Sequence, residues 1–306
     1  MPEITNQSFQ RISHDRDQAE KIVRPSLNFW QDAWRRLKKN KLAMLGLWII
    51  VFLAIMALIG PHLTPYDYRT QDLTITNHPM SAEHWFGTDD LGRDVFARLW
   101  SGARISLFIG LTAALADLLI GVIYGGISGY AGGKVDQFMM RVVDVLYGLP
   151  YLLVVILLMV VMDRGLGTII LALIATGWIG MARLVRGQIL QIKEMEFILA
   201  ARTLGANTTR LLFKHLIPNT LGPIIVSMTL TVPGAIFSEA FLSFIGLGVP
   251  APLASWGTMV NEGIVTILSG HWWRLAFPAF MISLTMFAFN VFGDGLRDAL
   301  DPRLRK

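Results

Sequence analysis

Apolar residues in this chain gather into six runs, and polar residues gather between them. The runs are Leu42 to Gly60, Ile105 to Ser128, Val145 to Met162, Leu166 to Ala182, Ile224 to Ile245 and Leu275 to Gly293. Each is close to the roughly 20 residues an α-helix needs to cross a bilayer. The second holds one acid, Asp117, and the fifth holds Glu239. The third is interrupted at its start by Gly148 and Pro150, and the tight loop Asp163-Arg164-Gly165 divides it from the fourth. The pattern predicts an all-α, polytopic membrane protein with six transmembrane helices.

Composition agrees with the pattern. Of 306 residues, 53% are hydrophobic and only 16% are charged, where a soluble chain carries about a quarter. There is no cysteine, which excludes disulfides, thiolate catalysis and cysteine metal sites. The charges are unevenly placed. With the N-terminus inside, the inner segments hold 21 of the 27 Lys and Arg residues. Positive charge accumulates on the cytoplasmic side, so both termini are expected there.

Residues 1 to about 28 read as a mostly disordered tail. Phe29, Trp30, Ala33, Trp34 and Leu37 then recur at helical spacing beside Arg35, Arg36, Lys38, Lys39 and Lys41. This predicts an interfacial helix with its lysines toward anionic lipid, or a simple basic flank that orients the first span. In the long outer segment from Pro61 to Arg104, Gly87-Thr88-Asp89 reads as a turn leading into a short amphipathic helix. The outer segment Gly246 to Trp273 is rich in Gly, Pro and Trp, so at membrane depth it must be buried or line a cavity. Glycines such as Gly125, Gly126, Gly129, Gly132 and Gly133 allow helices to approach closely.

The most informative stretch is Glu196 to Pro218, EFILAARTLGANTTRLLFKHLIP, a basic segment between apolar runs. Phe197, Leu199, Ala200, Ala201 and Leu204 suit one short helix, and Gly205 suits its C-terminus. Asn207 can cap a second helix through Arg210, Leu211, Leu212, Phe213 and Lys214, with Pro218 as its expected end. Leu211, Leu212, Phe213 and Leu216 give this pair an apolar face that lipid or a partner must cover.

Chemistry is sparse. Gly133-Lys134 is no phosphate loop, because Ser128 stands at the first glycine position and Val135 at the last. Neither HExxH nor GxSxG occurs, and the 6 histidines are scattered. An enzyme therefore lacks a nucleophile or a metal set. Asp117 and Glu239 remain, since an acid within a span is a functional candidate by default. Packing inside the bundle is favoured for Asp117; for Glu239, packing and a solute pathway stand equal.

The Glu196–Pro218 segment resembles the EAA motif of bacterial ABC importer permeases. Ala200-Ala201, three residues, Gly205, nine residues and an apolar stretch ending in Pro218 carry the likeness. Leu199 stands where the motif has glutamate, with Glu196 one turn earlier, and His215 stands at the usual isoleucine. HWFGTDDLGRDVFARLWSGARISLFIG, FLSFIGLGVPAPLASWGTMVNEG, FNVFGDGLRDALDPRLRK and WRRLKKNKLAMLGL are similar to the dipeptide, oligopeptide and nickel permease group. Within that group the chain looks most like the second permease subunit of an oligopeptide importer.

The resemblance implies a type I ABC importer transmembrane fold, with no catalysis and no cofactor bound by this chain. It implies a second, homologous permease, two ATPase subunits carrying ATP and magnesium, and an extracytoplasmic peptide-binding protein, in a bacterial cell membrane. Glu196, Ala200, Ala201, Arg202, Thr203, Leu204, Gly205, Arg210 and Pro218 would then couple to an ATPase, and Glu239 and Asp117 would be pathway candidates. The expected division is a tail with the basic helix (1–41), a first span (42–60), an outer loop (61–104), a core permease domain (105–293) with coupling helices at 196–218, and a cytoplasmic end (294–306). Import of dipeptides or nickel by the same fold is the runner-up. A membrane scaffold or an intramembrane enzyme is the reading from another class.

Overall fold

The computed structural model describes residues 28–301, so the expected N-terminal tail and the last residues lie outside the described part. Ten helices of eight residues or more follow in order: α1 (Phe29–Lys39), α2 (Lys41–Ile59), α3 (Val95–Ala131), α4 (Gly133–Tyr147), α5 (Tyr151–Met162), α6 (Leu166–Ile192), α7 (Glu196–Thr203), α8 (Thr208–Phe244), α9 (Trp256–Ile264) and α10 (Trp273–Leu300). Among the described residues there is no β-strand, only an isolated bridge between Thr88 and Asp94. Five helices (α2, α3, α6, α8 and α10) are long and apolar enough to cross a membrane, and the bent pair α4–α5 is long and apolar enough only when the two are taken together.

The broken pair corrects the expected third span. Val145 to Met162 is not one helix: α4 and α5 meet at 81° across Gly148, Leu149 and Pro150. Leu149, the residue before a proline, lies outside both helices, and Pro150, in extended conformation, caps the start of the next one. The 12 residues of α5 are about 18 Å long, too short for a hydrocarbon core of about 30 Å.

Other boundaries move outward, because charges expected to end a span are paired. The expected cut between 104 and 105 falls inside α3, which starts at Val95 with Asp94 Oδ1 accepting from Ala97 N at 2.7 Å. Helix α6 continues beyond Ala182, with Arg183 paired to Asp144 at 2.8 Å and Arg186 Nη2 donating to Asp136 Oδ2 at 2.6 Å. Helix α10 runs to Leu300, so residues 294–300 are helix rather than tail.

Pro218 does not end a helix either. Thr208–Phe244 is continuous through a π-helical turn at Leu211–Leu216. Pro218 has no N–H for the ladder, so the wider turn before it accommodates the defect. The side chain of Asn219 donates to the His215 carbonyl at 2.5 Å and satisfies an oxygen there.

Packing centres on α3, which lies against α6, α8, α2 and α9. At the α3–α6 seam, Gly121, Gly125 and Gly129 lie one turn apart. A Cβ on Gly125 would collide with the Ala182 carbonyl, and one on Gly129 would stand 2.9 Å from the Arg186 carbonyl. Gly126, on the next face, has its nearest neighbour at 3.8 Å. Gly125→Leu should therefore destabilise the bundle by about 1–3 kcal/mol through overpacking. Gly126→Ala should be near neutral, and thermal unfolding of the purified protein in detergent checks both.

The sequence-predicted basic helix is α1. It buries Ala33 and Leu37, the latter clustering with Ala43 of α2 and Ala299 of α10. It leaves Trp30 and Trp34 exposed, with Lys38 5.2 Å from the Trp34 ring centre. An amphipathic helix with aromatics outward fits an interface at the same end of the bundle as α7.

Candidate functional site

At one end of the bundle, α7 is held by a single buried side chain and a glycine turn. Ile198 is fully buried among Ile189, Ile192, Leu211 and Leu216. Gly205 has φ +84°, and Gly205 N and Ala206 N donate to the carbonyls of Arg202 and Ala201, each at 3.0 Å. These two bonds form a Schellman motif, which requires the left-handed residue that glycine supplies. Asn207 caps the start of α8, with Oδ1 accepting from Arg210 N at 2.8 Å. The expected short helix, glycine turn and Asn cap are thus all present; the second helix is the first turn of a membrane-length helix.

The rest of α7 faces outward. Phe197, Leu199 and Ala200 are exposed, and Leu204 is 87% exposed. Phe197, Ala200 and Leu204 recur at i, i+3 and i+7 and form one stripe. Glu196, Arg202, Thr203, Gly205, Arg210 and Pro218 are also exposed, while Ala201 turns partly inward behind Ile198. Two bonds tie the surroundings to α3 and α6: Tyr130 OH donates to Thr208 Oγ1 at 3.3 Å, and Lys193 Nζ donates to the Gly129 carbonyl at 3.1 Å. The helix is a small apolar projection on a fixed base.

The opposite end carries an ionic cluster that the sequence reading missed. Asp89 accepts from Arg93 Nε at 2.7 Å and from buried Arg98. Arg98 also reaches Glu262 of α9 at 2.8 Å, and Arg274 of α10 reaches Asp90 and Asn77, each at 2.9 Å. Asp89, Asp90 and Glu262 bring carboxylate oxygens within 4.8 Å of one another, but these acids already face three arginines. The cluster ties the turn before α3 to the segment between α8 and α10. The LGRDVFAR spacing, which puts Arg93 and Arg98 on either side of Asp94, was the available signal. The charges of Arg98 and then Arg93 overcome the effect of burial and hold the Asp89 carboxyl below its usual range.

The two acids within spans sit differently. Glu239 is fully buried, and its Oε1 accepts from Ser255 Oγ at 2.6 Å and Ser243 Oγ at 2.7 Å. Beside it, Trp256 is also fully buried, donating Nε1 to the Leu99 carbonyl at 3.0 Å. The Gly/Pro/Trp-rich segment is therefore covered by protein around Glu239. Asp117 is buried against Gly177 and borders a cavity between α3, α5, α6 and α8.

Comparison with known proteins adds to this geometry. The family model described as "Binding-protein-dependent transport system inner membrane component" matches residues 95–306, and that of the N-terminal transmembrane domain of oligopeptide transport permease C matches residues 28–79. The chain is 68% identical over 289 residues to a dipeptide transport system permease protein of Bacillus subtilis (strain 168), covering 94% of this chain and 90% of that one. It is 59% identical over 306 residues to the oligopeptide transport system permease protein OppC of the same organism, covering both chains fully. An inward-facing structure of the MetNI methionine ABC transporter aligns with TM-score 0.55 at 18% identity, over 67% of this chain and 96% of that one. This likeness is one of fold, the type I ABC importer transmembrane fold. The family model begins at Val95, where α3 begins, and runs through every later helix; the chain belongs to the family of inner membrane components of binding-protein-dependent transport systems.

Proposed function

We propose that this chain is a permease subunit of an ATP-driven peptide importer and performs no covalent chemistry itself. It pairs with a second, homologous permease to enclose one pathway. Two ATPase subunits, carrying ATP and magnesium, bind on the cytoplasmic side, where both termini lie. An extracytoplasmic binding protein delivers the peptide to the opposite face. The chain itself binds no cofactor.

One observation carries this reading: α7 presents an apolar stripe ending in Leu204, uncovered among the described residues, from a base fixed by Ile198 and Gly205. Such a projection suits a groove on a partner, and Arg202, Arg210 and Lys214 supply a basic rim. Interface hot spots are buried apolar anchors ringed by polar residues. Movement of the ATPases would pass through α7 into α6 and α8, which are continuous with it on either side, as a rigid-body change. Glu196 lies on the first turn of α7 and Pro218 after the π turn of α8, so both belong to the lever rather than to its tip. Glu239 serves as an internal brace between α8 and the segment before α9.

Relatedness supports a peptide cargo. The full-length relative favours oligopeptides, and the more identical one favours dipeptides. Uptake of labelled dipeptide, pentapeptide and nickel in a strain lacking the chain tests the reading. Loss of peptide uptake with normal nickel accumulation is expected, and the more affected peptide gives the preferred length. Loss of nickel accumulation with intact peptide uptake would replace the peptide reading with the nickel one.

A further inference from the structure

An open cavity of about 320 Å³ lies between α3, α5, α6 and α8, with exposed Gly177 and Gly234 at its edge. Its polar lining is Asp117, Tyr151, Thr176, Thr231 and Ser238. Asp117 is only 5% exposed, and no described protein group hydrogen-bonds its Oδ1 or the Tyr151 hydroxyl. A Cβ at Gly177 would stand 2.6 Å from both Asp117 oxygens, so only glycine leaves that carboxylate its place. Glu239, fully buried outside the cavity lining, has two serine hydroxyls on Oε1, and its Oε2, like Asp117 Oδ1, has no partner among the described residues. Buried polar atoms are normally satisfied. Asp117 differs in that it lines the cavity and offers its acceptor there.

We propose that this cavity is a transit subsite for an ammonium group, the N-terminal amine of a peptide in passage. The proposal rests on the peptide-importer reading above. An ammonium brings three N–H donors and no acceptor. Asp117 Oδ1 and the Tyr151 hydroxyl oxygen accept from it, and the threonine and serine hydroxyls complete the shell. Beside the buried Asp117 the charge attraction is stronger than in bulk water, while one carboxylate without an arginine-like fork keeps the site weak enough to release its occupant. A separate cavity of about 510 Å³ lies between α6, α8 and α10, lined by Gln188 and Ser227, and Ser227 is one helical turn from Thr231.

The absence of cysteine makes the test direct. Thr231→Cys places a single thiol at the cavity in the complete importer, assembled in membrane vesicles. It is treated with trimethylammonium-bearing or sulfonate-bearing methanethiosulfonate, and the mass added to this chain is followed. The cationic reagent should react faster, and the cation-to-anion rate ratio should fall about tenfold with Asp117→Asn. Asp117→Glu, which keeps the charge, should retain the preference. A free-amine peptide, delivered by the binding protein with ATP, should slow the cationic reaction. A ratio near one, or one unmoved by Asp117→Asn, overturns the proposal. So does a cation preference that the peptide leaves unchanged while import proceeds. If no peptide is imported, the peptide identity of the ammonium falls, and the charge ratio still decides whether Asp117 makes a cation site.

Discussion

Leu204→Asp should reduce peptide import to less than a tenth while leaving the chain folded and inserted. The two halves of that result have different causes. Leu204 is 87% exposed at the end of α7, so the fold loses little when it changes; surface substitutions stay within about 0.5 kcal/mol. If the stripe of Phe197, Ala200 and Leu204 fills an apolar groove on an ATPase, a carboxylate at its tip must be buried there without a partner. Truncating a central interface anchor costs about 2 kcal/mol or more, and an uncompensated buried charge costs more. Import should fall while thermal stability in detergent stays constant. Gly205→Val is the companion. Nothing lies within 4 Å of a Cβ there, so its cost is not a clash but φ +84°, which a β-branched residue resists. It should tilt α7 and separate ATP hydrolysis from import. Normal uptake with either variant would remove α7 from the coupling role.

Arg98→Met should be the most damaging single change to stability, at about 3–5 kcal/mol. Arg98 is 2% exposed and shared between Asp89 and Glu262. Removing it leaves the buried Asp89 carboxylate with Arg93 as its remaining cation, beside the backbone N–H groups of Leu91 and Arg93, and breaking one side of a buried pair exposes the desolvation cost of the other. Asp89→Asn combined with Arg98→Met should cost less than the sum of the two, which thermal unfolding of the four proteins in a double-mutant cycle measures. The Asp89 carboxyl is held below its ordinary pKa by these arginines. Its contribution is therefore fully present above the unfolded value and is lost as pH falls through the lowered folded one. Wild type should lose stability more steeply than Asp89→Asn below about pH 4.

Apolar run length made the spans legible, since the lipid-crossing helices need about 20 such residues whatever they pack against. Local chemistry made the α7 turn legible: Gly205 takes positive φ, and Asn207 caps. Charge misled the boundaries. Arg104 and Arg183 looked like span ends, but the carbonyls of Ala57 and Leu58 and the carboxylate of Asp144, all distant in sequence, receive them within longer helices. Proline misled twice in opposite directions. Pro150 marks a real break that turns α4 and α5 by 81°, whereas Pro218 is absorbed by a π turn and Asn219. Which acid faces a cavity was not legible, because that depends on Gly177 and on α5, α6 and α8 converging beside Asp117.

The central claim is that α7 couples this chain to an ATPase. Thr203 is exposed on α7 and can be made the only thiol of the chain. Thr203→Cys should react with an impermeant thiol reagent in inverted membranes and not in intact cells. It should crosslink to a co-expressed ATPase subunit, with a yield that changes on adding ATP. Labelling from outside would contradict the orientation, and inside labelling without an ATPase crosslink would leave α7 as a scaffold and contradict the coupling role.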